Sequence, residues 1–290
     1  MSLSKSIFFI TKVSSRLYFQ SCYKDVSLHL QSQTRGLRYF IEIAYDGTLY
    51  HGWQRQPQSI TVQEVLEEAL STLLRSEIAV VGAGRTDAGV HATQLFAHFE
   101  IEESYSVEAL SHLKFRLNRF LPEAVAVNAL QPVSAEAHAR FDAVRRSYEY
   151  KIHTGKNPFL VNQSYYFEKP LNVDAMNEAA AFLLGRQDFK CFSRSKTDVK
   201  TYICEITEAR WDQDGAQLKF SISADRFLRN MVRAIVGTLL EIGQGKLKPE
   251  DLKTIIASRT RSEAGASAPA HGLYLTEVAY PKEIFEKYGE

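Results

Sequence analysis

Ile78-Ala79-Val80-Val81-Gly82-Ala83-Gly84-Arg85-Thr86-Asp87-Ala88-Gly89-Val90-His91-Ala92-Thr93-Gln94-Leu95-Phe96-Ala97-His98-Phe99 is the stretch on which the architecture turns. Its apolar ends, Ile78–Val81 and Leu95–Phe99, have the length and the β-branched or aromatic content of strands, and a glycine-rich loop joins them. The segment is therefore expected to be strand, loop and strand, presenting Arg85 and Asp87 together. Glycine lets a backbone approach a ligand where any Cβ would collide. A guanidinium two residues away favours the ionised form of the Asp87 carboxylate, which suits a nucleophile, a base or an electrostatic stabiliser. An aspartate that merely bonds its own turn has the same local sequence. The loop alone leaves both readings open.

Outward from the loop the chain is regular. Tyr39–Ala44 has the pattern of a strand ending at the turn Asp46-Gly47. Thr61 caps a helix, with Glu64 three residues on as a capping box, and Val62, Val65, Leu66, Ala69, Leu70, Leu73 and Leu74 form its apolar stripe. Val107–Phe120 is a second helix stopped by Pro122, and Ala124–Leu130 another strand. Further on come a strand at Ser147–Ile152, a helix at Val173–Leu184 and a hairpin of Ile203–Trp211 with Leu218–Ser223. They are followed by an apolar helix at Leu228–Ile242, a shorter one at Pro249–Ile256 and a last strand at Leu273–Tyr280. This order implies an α+β fold of mostly antiparallel sheet with helices on one face. We divide it into an N-terminal domain at 37–138 and a C-terminal domain at 139–290, with a cleft between them.

Composition narrows the partners. At 290 residues with 45% hydrophobic and 24% charged side chains, the chain has the make-up of a globular protein. Lys and Arg total 35 against 34 Asp and Glu, so any polyanion site has to come from local clustering. Cys22, Cys191 and Cys204 offer neither a disulfide framework nor metal spacing, which points to a reducing, cytoplasmic setting and no metal. No stretch has the length needed to span a bilayer. Residues 1–36 are basic, serine-rich and poor in acids. They have the composition of a transit-type leader, or of a poorly ordered tail, or of upstream sequence, and are set aside.

Basic clusters do occur. Arg140, Arg145, Arg146 and Lys151 are interleaved with Phe141, Tyr148 and Tyr150, a mix that suits an RNA backbone and an unstacked base. Arg146 and Tyr148 share one face of their strand with Tyr150. Arg226, Arg229 and Arg233 lie on or beside the apolar helix, where a guanidinium needs a carboxylate or phosphate partner unless it snorkels to the rim. Lys114–Arg119 and Arg186–Lys200 repeat the mixture. Several such clusters in a near-neutral chain favour a polyanion track over a merely solvated face.

Seven segments then fall into one family's order: Ala44-Tyr45-Asp46-Gly47-Thr48, His51-Gly52-Trp53-Gln54, Thr61-Val62-Gln63, Gly84–Ala92, Arg145-Arg146-Ser147-Tyr148-Glu149-Tyr150, Met231–Gly237 and Ala268-Pro269-Ala270-His271-Gly272-Leu273-Tyr274-Leu275. Together they resemble the tRNA pseudouridine synthases of the TruA family, from about Arg38 to Tyr280. The resemblance implies that Asp87 attacks the target nucleotide and that Tyr148 stacks on the uracil and shares in proton transfer. It makes Arg233 the partner of the aspartate, Leu273 an apolar wall of the base pocket, and Arg85 a contact to the RNA or to the space left by the flipped base. Arg145 and Arg146 are expected to contact substrate. Ser147 stands where the family often has tyrosine after its two arginines, so Tyr150 is the alternative to Tyr148. The resemblance further implies a cofactor-independent homodimer acting on uridines at the 3′ side of the tRNA anticodon arm.

A tRNA-binding or chaperone protein without catalysis is the alternative, yet a pure binding surface gains nothing from a carboxylate facing phosphates. A nucleotide-using phosphate loop is disfavoured, because no G-x-x-x-x-G-K-[ST] is present and a strand follows the glycines.

Overall fold

A computed structural model describes residues 37–194 and 199–286. The extension at 1–36, and Lys196 and Asp198 of the last basic stretch, lie outside the described residues. Among the described residues ten strands form one sheet: β1 (Leu37–Tyr45), β2 (Val81–Gly82), β3 (His91–Ile101), β4 (Val125–Val133), β5 (Arg145–His153), β6 (Tyr165–Tyr166), β7 (Gly185–Asp188), β8 (Ile203–Asp214), β9 (Gln217–Ala224) and β10 (Leu273–Ala279). The helices are α1 (Val62–Leu74), α2 (Val107–Phe120), α3 (Val173–Ala181), α4 (Met231–Gly243), α5 (Asp251–Ser258) and α6 (Glu283–Glu286). The class is α+β, as the sequence implies.

Strand order is β4-β1-β3-β10-β5-β9-β8-β7. All pairings are antiparallel except β3 with β10 and β5 with β6. β10, from the far end of the chain, thus closes the gap between two sets of strands, with Leu275 opposite Tyr148 and also beside Ala92. One core gathers β1, β3 and β4 with α1 and α2, and it takes in Leu275 and Val278 of β10. The other gathers β5, β8 and β9 with α3, α4 and α5, and it includes Leu273. Tyr148 packs against both. On β5, Tyr150 and Ile152 are buried, while Arg145, Ser147 and Glu149 on the other face meet Glu277 and Lys219, so one face of this strand is core and the other polar.

Local chemistry explains where elements begin. The Thr61 hydroxyl accepts the Glu64 N–H at 3.4 Å and starts α1, and the Glu64 carboxylate pairs with Arg55 at 3.5 Å. Ser106 and Asn172 cap α2 and α3 in the same way. In α4 every residue except Arg233 and Glu241 is buried, and the helix starts at Met231, after Asn230 in the left-handed region at φ 65°. The expected start at Leu228 is three residues early because that turn reverses the chain first. α3 likewise stops at Ala181, short of the expected Leu184. The hairpin turns on Gly215-Ala216 alone, so its strands run further than their apolar cores suggest.

The strand expected at Ile78–Val81 shrinks to Val81-Gly82. Helix α1 provides the reason. The Ile78 N–H donates to Ser71 Oγ (2.9 Å) and the Val80 N–H to Glu67 Oε1 (3.1 Å), while the Val80 carbonyl accepts from Gln63 Nε2 (3.1 Å). These backbone groups are satisfied by side chains of a helix, so the segment needs no strand partner.

Candidate active site

The loop that follows β2 is fixed on both sides of Asp87. Gly52, at φ +90°, lies so close that a Cβ on it would sit 2.4 Å from the Thr86 carbonyl. The Trp53 N–H donates to that carbonyl (3.2 Å), and the Tyr45 hydroxyl and Thr86 Oγ1 are 2.8 Å apart. Beyond Asp87, the Val90 N–H closes a turn onto its carbonyl at 3.1 Å, with Gly89 at φ +76°. His91 staples the end of the loop. It is buried, its Nδ1 accepts the Gly47 N–H (3.1 Å), its Nε2 faces the His271 carbonyl (3.2 Å), and its ring stacks on Tyr274 at 4.5 Å.

The Asp87 carboxylate, 31% exposed, meets two arginines from the second core. Arg233 Nη1 donates to Oδ2 at 3.4 Å, and Arg229 Nε stands 4.0 Å from Oδ1. Arg233 is anchored: its Nε donates to the Ala268 carbonyl (2.7 Å), and the Ala268 N–H returns to the Arg233 carbonyl (2.9 Å). Arg229 is 56% exposed on the turn before α4. The sequence neighbour Arg85, which the resemblance assigns to the RNA or to the space left by the flipped base, is exposed. The guanidinium that α4 delivers to Asp87 is fixed by a backbone carbonyl.

Tyr148 sits on β5 between Ile222 of β9 and Leu275 of β10. Phe227 meets its ring edge-on at 5.1 Å. Burial pushes its phenol up to about 12, the Asp87 charge acts in the same direction, and Arg146 opposes both. At neutral pH it is a neutral hydroxyl within electrostatic reach of the Asp87 carboxylate. Tyr150, the alternative, is fully buried, and its hydroxyl donates to the Pro269 carbonyl at 2.8 Å.

The remaining expected residues are spread more widely. Arg146 donates to four carbonyls, those of Arg140 (2.7 Å), Ala143 (2.8 Å), Asp225 (2.9 Å) and Ala83 (3.3 Å), the last at the root of the Asp87 loop. Arg145 points to the opposite face of the sheet, where it pairs with Glu277 at 2.9 Å. Leu273 is 6% exposed in the second core, opposite Tyr150. Asp87, Tyr148 and Arg233 are therefore brought together; Arg145 is not with them, and Arg146 reaches the site through backbone. Sequence reasoning missed Arg229 as a partner of Asp87 and Phe227 as the edge contact of Tyr148, though both lie in the segment it marked as basic.

Among the described residues no group of three or more His, Cys, Asp or Glu is placed to hold a metal, and no helix is long and apolar enough to cross a membrane. Cys191 and Cys204 are buried thiols that burial pushes up to about 12, which leaves them protonated and unreactive.

A family model described as tRNA pseudouridine synthase matches residues 42–142 and 179–281. The tRNA pseudouridine synthase A of Bacteroides fragilis is 53% identical over 251 residues, covering 86% of this chain and 98% of the relative. That of Porphyromonas gingivalis is 52% identical over 251 residues, with 86% and 99% covered. The Bacillus subtilis enzyme of the same name is 42% identical over 242 residues, with 82% and 97% covered. The match includes both the loop that carries Asp87 and the helix that brings Arg233 to it, and the chain belongs to the tRNA pseudouridine synthase family.

Proposed function

We propose that this protein isomerises uridine to pseudouridine in tRNA, with Asp87 as the group that attacks the target nucleotide. The observation that carries the reading is the Asp87–Arg233 pair: a carboxylate on a fixed loop, 3.4 Å from a guanidinium anchored on Ala268. The bond between N1 and C1′ breaks, the base turns, C5 bonds to C1′, and the proton of C5 leaves while N1 gains one. Substrate and product have the same atoms and the same oxidation state, so the reaction asks for no redox partner or group donor. Arg233 holds the carboxylate in its aim, and Tyr148 offers its ring to the uracil and a neutral hydroxyl for proton transfer. Taking the uridine out of its stack costs a few kcal/mol. The exposed arginines Arg85, Arg140 and Arg229 offset part of that cost through the RNA phosphates. The reading extends to a cytoplasmic homodimer acting on the 3′ side of the anticodon arm, which sedimentation of the full chain and mapping of pseudouridine in treated tRNA address.

The decisive experiment is Asp87→Ala assayed with tRNA tritiated at C5 of uridine. Tritium release should vanish while filter binding of tRNA persists. Release at the wild-type rate would overturn the role of Asp87.

A further inference from the structure

Segment 137–143 has a polar framework out of proportion to the core it helps to build. Arg38 donates to the Ala137 carbonyl (2.7 Å), the Tyr280 hydroxyl to that of Ala139 (2.5 Å), and Arg146 to those of Arg140 and Ala143. The Ala139 N–H donates to His98 Nδ1 (3.1 Å). The N–H groups of Arg140 (3.1 Å) and Phe141 (3.4 Å) share His138 Nδ1, and the His138 N–H donates to Asp142 (2.7 Å). Burial and the charge of Arg38 push both imidazoles down, His98 to about 4, so each stays neutral and its Nδ1 stays an acceptor. The loop is thus pinned through backbone groups at nearly every residue.

What this framework displays is an aromatic ring. Phe141 is 74% exposed. Its inner side rests on His138, centroids 4.3 Å apart, and the Arg140 guanidinium lies 5.8 Å from its centroid. A ring so exposed returns little burial energy to the fold, yet the backbone that carries it is pinned. Arg146 ties its loop to the Ala83 carbonyl, at the root of the loop that carries Asp87. An exposed ring on a pinned backbone, beside an arginine, has the chemistry that accepts an unpaired base and its phosphate, since every base has a π-face.

We propose that Phe141 is a stacking platform for an unpaired base of the RNA substrate, with Arg140 taking the adjoining phosphate, and that Arg146 holds the platform in register with Asp87. The proposal rests on the reading of the protein as a tRNA-modifying enzyme. Turning a uridine out of the stack leaves its neighbours with uncovered faces, and a ring fixed relative to Asp87 covers one of them.

The test uses the full chain and an anticodon stem-loop with 2-aminopurine at each nucleotide flanking the target uridine in turn. Wild-type protein should quench the probe at one position. Phe141→Ala should lose that quench and raise KM about tenfold, with kcat nearly kept, and Phe141→Tyr should restore both. The slope of log KM against log salt should not change, because no charge is removed, and the thermal midpoint should stay in place because the ring is exposed. Wild-type quenching and KM in Phe141→Ala would overturn the proposal, as would a loss that tyrosine fails to restore. A changed sedimentation coefficient with unchanged RNA affinity would make the ring a contact between copies of the chain and overturn it too. Wild-type protein that forms no pseudouridine would defeat the proposed function instead, while the quenching of bound RNA still decides the platform.

Discussion

Two arginines adjacent in sequence, Arg145 and Arg146, have unrelated surroundings. Arg145 makes an exposed pair with Glu277, a contact worth little. Arg146 is partly buried, and its donors are divided among four carbonyls from three stretches of chain. A lysine has three donors on a point charge and cannot reproduce that fork. Arg146→Lys should therefore leave at least one carbonyl unpaired and lower stability by about 1–3 kcal/mol. It should also lower kcat by disturbing the Ala83 end of the Asp87 loop. Arg146→Ala, which removes the charge, should leave the slope of log KM against log salt at that of wild type; a fall of about one would mean that Arg146 contacts a phosphate. At this scale the residue types were legible in the sequence, their partners only in part. Asp87, Tyr148 and Arg233 stand out as types at telling positions, but nothing local says that Arg146 faces four carbonyls or that Arg229 reaches Asp87.

Among elements, α1 takes over work that the sequence pattern assigns to a strand. Periodicity located this helix correctly because its apolar stripe is long and its Thr61 cap is unambiguous. The same kind of pattern failed at Ile78–Val80, since burial of alternate residues does not say which groups satisfy the backbone. Glu67 is the link. Only 8% exposed, it accepts the Val80 N–H (3.1 Å), Gln63 Nε2 (3.0 Å) and Arg55 Nη1 (3.1 Å). Glu67→Leu should destabilise by about 1–3 kcal/mol, because a buried N–H is left without an acceptor. Glu67→Gln should cost less, since its amide oxygen still accepts. Urea midpoints at constant m separate the two; equal midpoints for wild type and Glu67→Leu would show that the approach to the Asp87 loop does not depend on this carboxylate. The helix end at Ala181 and the helix start at Met231 were misjudged for a related reason: buried apolar residues, Leu183 after the one and Leu228 before the other, lie outside the helical turns.

Across the whole molecule, the α+β class was legible from the order of elements, whereas the arrangement of the sheet was not. Pairings such as β8 with β9 are local, but β10 reaches β3 across about 180 residues, and no local pattern encodes a contact of that span. The two cores share this strand, with Leu273 in one and Leu275 and Val278 in the other, and just before it comes Ala268, the anchor of Arg233. A chain ended at Ser267 should therefore lack the Asp87–Arg233 geometry and form no pseudouridine. It should also aggregate, because β3 and β5 would each expose an unpaired edge; a truncated chain that sediments as a folded, active species would contradict this. The position of β10 also bears on synthesis at the ribosome. Strands β1 to β9 are all made first, but β3 and β5 gain the strand that bridges them only after Leu273–Ala279 has been translated. A chain abandoned mid-message should thus be inert towards RNA modification, because the last strand to be made is the one that bridges β3 and β5.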